Sequence, residues 1–308
     1  MKCLVAIVGP TSVGKSNLGI QIAQKYNGEI ISADSRQIYR YMDIGTAKPT
    51  IDERNLVTHY MVDIILPNES YSVALYKKSA LEIINNIQAG HKLPILVGGS
   101  GQYIWSVIED WNIPEVEPNL KLREMMFEQA TESGTVKLFE KLAAIDPETA
   151  SKIQSNNLRR IIRALEIYNA TGVQPSQIRS KQALPYPVLL IGLTAARDRL
   201  YDLINHRADE MLNKGLVEEV LSLLKMGYSL KLPSMSSIGY KQISMYLNNE
   251  FNLDEAVQRM KFETHRFARG QYAWFRLSDI RIKWFDICHD IKDKINYTIE
   301  TFFSSLGE

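Results

Sequence analysis

The apolar and polar positions change period several times along the chain. Leu4–Val8 is a short β-branched run, and after it Leu18, Ile20, Ile22 and Ala23 follow helical spacing. Glu29–Ala33 and Leu93–Val97 are further short apolar runs, with a helical pattern over Val73–Ala89 between them. Short continuous apolar runs alternating with helical periods are the signature of a buried parallel sheet covered by helices. The pattern therefore predicts strands over Leu4–Val8, Glu29–Ala33 and Leu93–Val97, and helices over Lys15–Tyr26 and Val73–Ala89.

From Pro114 onward the strand pattern stops. IPEVEPNLKLREMMFEQATESG reads as a helix closed by Gly134, and VKLFEKLAAI, PETASKI and NNLRRIIRALEIYNATG read as three more. Pro147 stands where a first-turn proline is tolerated, and Gly172 where a C-terminal cap glycine belongs. VQPSQIRSKQALPYP, polar and proline-punctuated, is expected to be a mobile connection. The apolar run Pro187–Leu193 predicts a return to the sheet, followed by amphipathic helices over Arg197–Lys214, Val217–Met226 and Leu253–Phe275. The expected fold class is α/β: a parallel-sheet core made of residues 1–114 and 186–308, interrupted by an all-helical insertion domain over 115–185. A single continuous domain is the alternative.

Gly9-Pro10-Thr11-Ser12-Val13-Gly14-Lys15-Ser16 satisfies G-x-x-x-x-G-K-[ST] between the first strand and the first helix, which makes the core a P-loop core. Its glycines allow backbone N–H groups to cradle phosphate oxygens at the positive end of a helix. Lys15 adds a charge, and Ser16 offers its hydroxyl to Mg²⁺. The loop alone does not say which phosphate compound it holds. Asp34-Ser35 ends the second predicted strand, and side chains just past the carboxyl end of a parallel strand face the ligand crevice. By position Asp34 is a metal ligand, a substrate anchor, a general base or a turn-capping aspartate.

Taken together and in order, GPTSVGKS, ISADSRQIYRYMDIGTAKP, ILVGGSGQY, RALEIYNATG, IGYKQ and QYAWFR resemble the tRNA dimethylallyltransferases over essentially the whole chain. The resemblance implies transfer of a dimethylallyl group from dimethylallyl diphosphate to N6 of the adenosine 3′ of the anticodon, in tRNAs reading codons that begin with U. The loop Gly9–Ser16 would then hold the diphosphate of an isoprenoid donor. The resemblance further implies that Thr11 bonds the bridging oxygen, that Arg207 reaches the diphosphate, and that Asp34 accepts the N6 proton or orients the amine. It places tRNA contacts at Asp34, Ser35, Arg36, Gln37, Ser100, Arg123 and the segment Arg159, Arg160, Ile161, Ile162, Arg163. Gln37 is expected to offer a donor and an acceptor to a base edge. The insertion and the core are expected to grip the anticodon stem-loop. The chain departs from the family pattern at Leu203, His265 and Gly270, where arginines are usual, at Arg159 for glutamine, and at Ser100 for threonine.

Composition limits the partners. Of 308 residues 45% are hydrophobic and 23% charged, with a net charge of +1, so tRNA must be met by a local basic surface. Val257–Trp284 supplies one, with seven cationic side chains against Glu263 and Asp279. Its interleaved aromatics, Phe262, Phe267, Tyr272, Trp274 and Phe275, recur at helical spacing and are expected in the core. Cys3 and Cys288 match no metal spacing and are expected as reduced thiols. No apolar run approaches the ~20 residues of a membrane helix. The N-terminal run is too short for a secretory signal, and nothing resembles a coiled coil. A cytoplasmic monomer is expected. The competing readings are a P-loop small-molecule kinase, an adenylate isopentenyltransferase, and a nucleotide switch; the last is disfavoured by the lack of an N-K-x-D signature.

Overall fold

The structure is a computed structural model and describes residues 2–178, 180–288 and 290–307. Arg179, in the stretch expected to be mobile, lies outside the described residues. The chain divides into two compact units: one runs to Ile108 and resumes at Leu184, and the other is Glu109–Ala183.

The first unit is built on six strands, β1 (Leu4–Val8), β2 (Gly28–Ala33), β3 (His59–Tyr60), β4 (Leu93–Gly98), β5 (Val188–Thr194) and β6 (Ile282–Asp286). Their order is β3-β2-β4-β1-β5-β6 and every pairing is parallel. All of β1 and β4 is buried, which is why these strands read as unbroken apolar runs. The edge strands β3 and β6 are short or carry charge, and the hydrophobic pattern did not announce them.

The helices of this unit are α1 (Lys15–Lys25), α2 (Ile51–Leu56), α3 (Val73–Ala89), α4 (Gly101–Ile108), and, after the second unit, α10 (Arg197–Asn213), α11 (Leu216–Lys225), α12 (Tyr240–Leu247), α13 (Leu253–Trp274) and α14 (Lys292–Ser305). The five helices expected here end within one residue of those found; α2, α4, α12 and α14 were not expected. The chain leaves β1 toward β2 on one side and returns on its other side as β5. The carboxyl end of β1 is thus the switch point where open α/β sheets bind ligands. Gly9 sits there with φ 138°, and a Cβ at this position would lie 2.3 Å from the Leu193 carbonyl oxygen on β5. Only glycine fits.

The second unit contains α5 (Leu120–Ser133), α6 (Thr135–Ile145), α7 (Pro147–Ser151), α8 (Leu158–Thr171) and α9 (Pro175–Ile178), and no strand among its described residues. Met126, Leu138, Leu142, Ile161, Ile162 and Leu165 form its core. The unit starts before residue 115 because its two ends are tied together: the Gln182 amide donates to the Glu109 carbonyl at 2.9 Å and the Asn112 amide to Ser180 at 3.0 Å. Pro147 opens α7 behind an Asp146 cap, and Gly172 closes α8 at φ 69°. Asp146 Oδ2 also accepts from the Ser176 amide at 2.9 Å, and Gln174 Nε2 donates to the Ile145 carbonyl at 2.8 Å. The start of the proline-punctuated stretch is therefore seated, where a mobile connection was expected.

Candidate active site

The switch point carries two cations drawn together. No side chain caps α1 behind Gly14, so its first-turn amides, which have no partner within the helix, are open to an anion. Lys15 Nζ donates to the Pro10 carbonyl at 2.5 Å, and Arg207 Nη1, from α10, donates to Thr11 Oγ1 at 3.2 Å. Burial and then the neighbouring Arg207 charge bring the Lys15 pKa down to about 7, against the pull of Asp34. Burial likewise lowers the pKa of Arg207, against Asp34 and Glu210. Two desolvated like charges, each with its pKa lowered despite the carboxylates nearby, are the electrostatic mark of an anion site. Ser12, at φ 68°, has a buried hydroxyl without a partner among the described residues. Val13 is in the core beneath the loop.

Asp34 follows β2. Its Oδ1 accepts the Arg36 amide at 2.8 Å, and its Oδ2 has no hydrogen-bond partner among the described residues. The carboxylate is close enough to Lys15, Arg207, Tyr76 and Tyr103 to influence the titration of each. Tyr76 and Tyr103 stack with centroids 3.6 Å apart, and burial pushes both phenols up. Asp34 therefore caps a turn through Oδ1 and leaves Oδ2 without a hydrogen bond among the described residues. Ser100 lies alongside, its amide donating to the Ala33 carbonyl at 3.2 Å.

The loop after Asp34 is braced from within. Arg36 reaches the Pro233 carbonyl at 3.0 Å. Gln37 is buried; its Oε1 accepts from Ser32 at 2.9 Å, while Nε2 donates to the Thr46 and Ala47 carbonyls at 3.3 and 3.1 Å. Both ends of this amide are occupied, so the base-edge contact expected of Gln37 is not presented; the side chain shapes the loop instead. Lys48 is buried between Asp43 and Asp63, the latter at 2.6 Å, and Arg54 holds the other oxygen of Asp63 at 2.7 Å. Glu219 of α11 accepts the amides of Asp43, Ile44 and Gly45 at 2.9, 2.8 and 3.2 Å and the Tyr240 hydroxyl at 2.5 Å. The DIGTAKP and IGYKQ stretches are thus two sides of one part-buried polar network around Glu219. Glu219 stands in an unremarkable VEEV and carried no sequence signal.

The expected tRNA-facing residues separate by burial. Arg159 and Arg160 are exposed with no ion pair among the described residues. Ile161 and Ile162, at 0% and 2% exposure, belong to the helical unit's core, so their side chains offer nothing to tRNA. Arg123 grips Glu166 through Nε and Nη2 at 2.8 and 2.7 Å, and Arg163 Nη1 reaches it at 2.6 Å. In the basic stretch Arg281 pairs at 2.6 Å with Asp279, already in the local count, but Arg259 pairs with Glu255 and Lys261 with Asp209, each at 2.7 Å and both acids outside it, which leaves less free charge than that count implied. Phe275 is fully buried, but Phe262, Phe267 and Trp274 are 61%, 49% and 36% exposed, which corrects their expected place in the core. His265 stacks on Tyr201 at 4.0 Å, Gly270 faces open space, and Leu203 is half-buried.

Among the described residues no three His, Cys, Asp or Glu side chains gather as a metal cage, and no helix is long and apolar enough to cross a membrane. Cys3 is buried and Cys288 exposed, both as free thiols. A family model described as IPP transferase matches residues 37–278. A protein of Roseiflexus sp. (strain RS-1) named tRNA dimethylallyltransferase is 50% identical over 89% of this chain and 90% of its own. One of the same name from Dehalococcoides mccartyi is 43% identical over 99% and 94%. Among solved structures, a tRNA isopentenylpyrophosphate transferase from Bacillus halodurans superposes with a TM-score of 0.72 at 40% identity, covering 99% of this chain and 96% of that one. A eukaryotic dimethylallyltransferase acting on tRNA gives 0.83 at 27%, covering 99% and 80%. The P-loop cations and the Asp34 turn meet at one end of the sheet, and the chain belongs to the IPP transferase family, with relatives named tRNA dimethylallyltransferase.

Proposed function

We propose that this site moves the dimethylallyl group from dimethylallyl diphosphate to N6 of the adenosine 3′ of the anticodon, in tRNAs that read codons beginning with U. The reading rests on one observation above the others: Lys15 and Arg207 converge beside Thr11, with the Asp34 carboxylate close to both. A cradle for a departing anion and an acceptor for a proton then share one crevice. The allylic C–O bond breaks as charge moves onto the diphosphate, the C–N bond to N6 forms, and the displaced N6 proton passes to Asp34 Oδ2. Arg207 and Lys15 hold the leaving group, and Thr11 donates its hydroxyl hydrogen to the bridging oxygen.

Ser16 is exposed at the start of α1 and suits Mg²⁺, which usually binds through a single protein oxygen or two, substrate phosphates and water. When bound, the ion adds charge neutralisation at the diphosphate. On this reading Arg159 and Arg160, both exposed, contact tRNA phosphates, and Ser35 and Ser100 contact the tRNA from the core. The target base must leave its stack to reach Asp34. The protein acts as a monomer in the cytoplasm.

The strands flanking β1 end in Gly98 and Thr194, so no second strand-end carboxylate stands beside the loop as a phosphoryl-transfer site would use. Labelled dimethylallyl diphosphate offered with unmodified tRNA, with AMP or with neither is expected to label tRNA alone. Label entering AMP but not tRNA would select an adenylate isopentenyltransferase. Asp34→Asn is expected to slow transfer by about 10²–10⁴-fold with tRNA affinity kept. Near-normal turnover in that variant removes the base assignment.

A further inference from the structure

Gln271 lies on α13, remote in sequence from both loops of the site, yet its amide joins them. It is 4% exposed. Its Oε1 accepts the Thr11 amide at 2.8 Å, and its Nε2 donates to the Gly99 carbonyl at 3.0 Å. The partners dictate the orientation, since an N–H needs the oxygen and a carbonyl needs the NH₂. The approach is so close that a Cβ at residue 99 would lie 2.1 Å from Nε2. One turn of helix further on, the Trp274 carbonyl accepts from Trp105 Nε1 at 2.9 Å, so the end of α13 is seated on α4.

The consequence falls on Thr11. Phosphate loops present their amides to the ligand, but this amide is taken by Gln271, which holds its peptide plane. Thr11 is then restrained at two points, with its N–H on Gln271 and its Oγ1 accepting from Arg207 at 3.2 Å. A hydroxyl that accepts from an arginine keeps its own hydrogen to donate. The second arm of Gln271 holds the turn that begins at Ser100, next to the end of β2.

We propose that Gln271 is a positioning residue for departure of the diphosphate: it sets the Thr11 peptide so that the hydroxyl hydrogen points at the leaving group, and it ties that setting to the Gly99–Ser100 turn. The inference rests on the function proposed above and deepens it.

Two variants test this. Gln271→Leu keeps the bulk and removes both bonds. It is expected to lower kcat with saturating tRNA by about 10–100-fold and to weaken calorimetric binding of inorganic diphosphate by about tenfold, with tRNA affinity within about twofold. Gln271→Glu can accept from Thr11 and donate to Gly99 only while its carboxyl is protonated. Its activity relative to the unaltered protein is therefore expected to recover as pH falls, a trend that Gln271→Leu lacks. Gln271→Leu binding diphosphate and turning over within about twofold of the unaltered protein would overturn the proposal. So would parallel losses of diphosphate affinity, tRNA affinity and thermal stability with no pH recovery in Gln271→Glu, because the residue would then serve packing alone. If the unaltered protein bound diphosphate but prenylated no tRNA, the proposed function would fail, and the diphosphate comparison would still test Gln271.

Discussion

Lys15 shows what the site asks of a single residue. Burial and Arg207 bring its pKa down to about 7, so at neutral pH the free protein holds it partly deprotonated. An unfolded chain would keep that proton up to the ordinary lysine value of 10.5. Folding therefore carries a penalty that is complete below about 7 and fades as pH rises toward 10.5. On the proposed reading a diphosphate supplies the missing counter-charge, so its binding above pH 7 is expected to take up a proton at Lys15. Diphosphate affinity is expected to fall as pH rises past about 7, by up to about tenfold per unit. Calorimetry at pH 8 in buffers of different ionisation enthalpy should report close to one more proton taken up by the unaltered protein than by Lys15→Met; equal uptake would reassign the cationic grip to Arg207.

At the scale of elements, Glu166 governs the helical unit. Arg123 from α5, Arg163 from α8 and the Asn119 amide all converge on this carboxylate, whose side chain is 1% exposed. Burial alone would raise its pKa, but the bonds from the two arginines and the Asn119 amide outweigh that and hold it below the ordinary 4.5. A depressed folded pKa contributes stability above the unfolded value, and that stability is lost as pH falls through the folded one. Glu166→Ala leaves two arginines half-buried without an anion and is expected to cost about 3 kcal/mol, read from urea unfolding at neutral pH. The variant's stability should also fall less steeply below pH 4.5. The helical period through Leu158, Ile161, Ile162 and Leu165 marked the buried face in advance. The pairing of Arg123 with a glutamate 43 residues away did not show, because period locates a face and not the partner across it.

For the whole molecule the issue is how a chain of net charge +1 holds a polyanion. Two cations of the basic stretch, Arg259 and Lys261, are neutralised by acids outside it, Glu255 and Asp209, so on the proposed reading exposed cations elsewhere, Arg159 and Arg160 first, carry more of the attraction. Affinity for tRNA is expected to fall linearly in log–log with salt. Replacing both arginines by alanine should reduce that slope by about one to two while weakening binding to different tRNAs alike. An unchanged slope would place the phosphate contacts elsewhere.

Local rules carry far in this protein. Continuous apolar runs follow from strands buried on both faces, and glycine–lysine–serine spacing follows from the need to wrap phosphate with backbone amides; both are properties of neighbours in sequence, and both were legible before any fold. What lay beyond local rules was the far side of each contact. Glu219 beneath the 43–45 amides, Gln271 behind Thr11, Glu166 under two arginines, and the exposure of Phe262 and Phe267 each depend on residues brought together from distant parts of the chain. Hydrogen-bond satisfaction and burial are settled between elements, so only the tertiary structure could decide them.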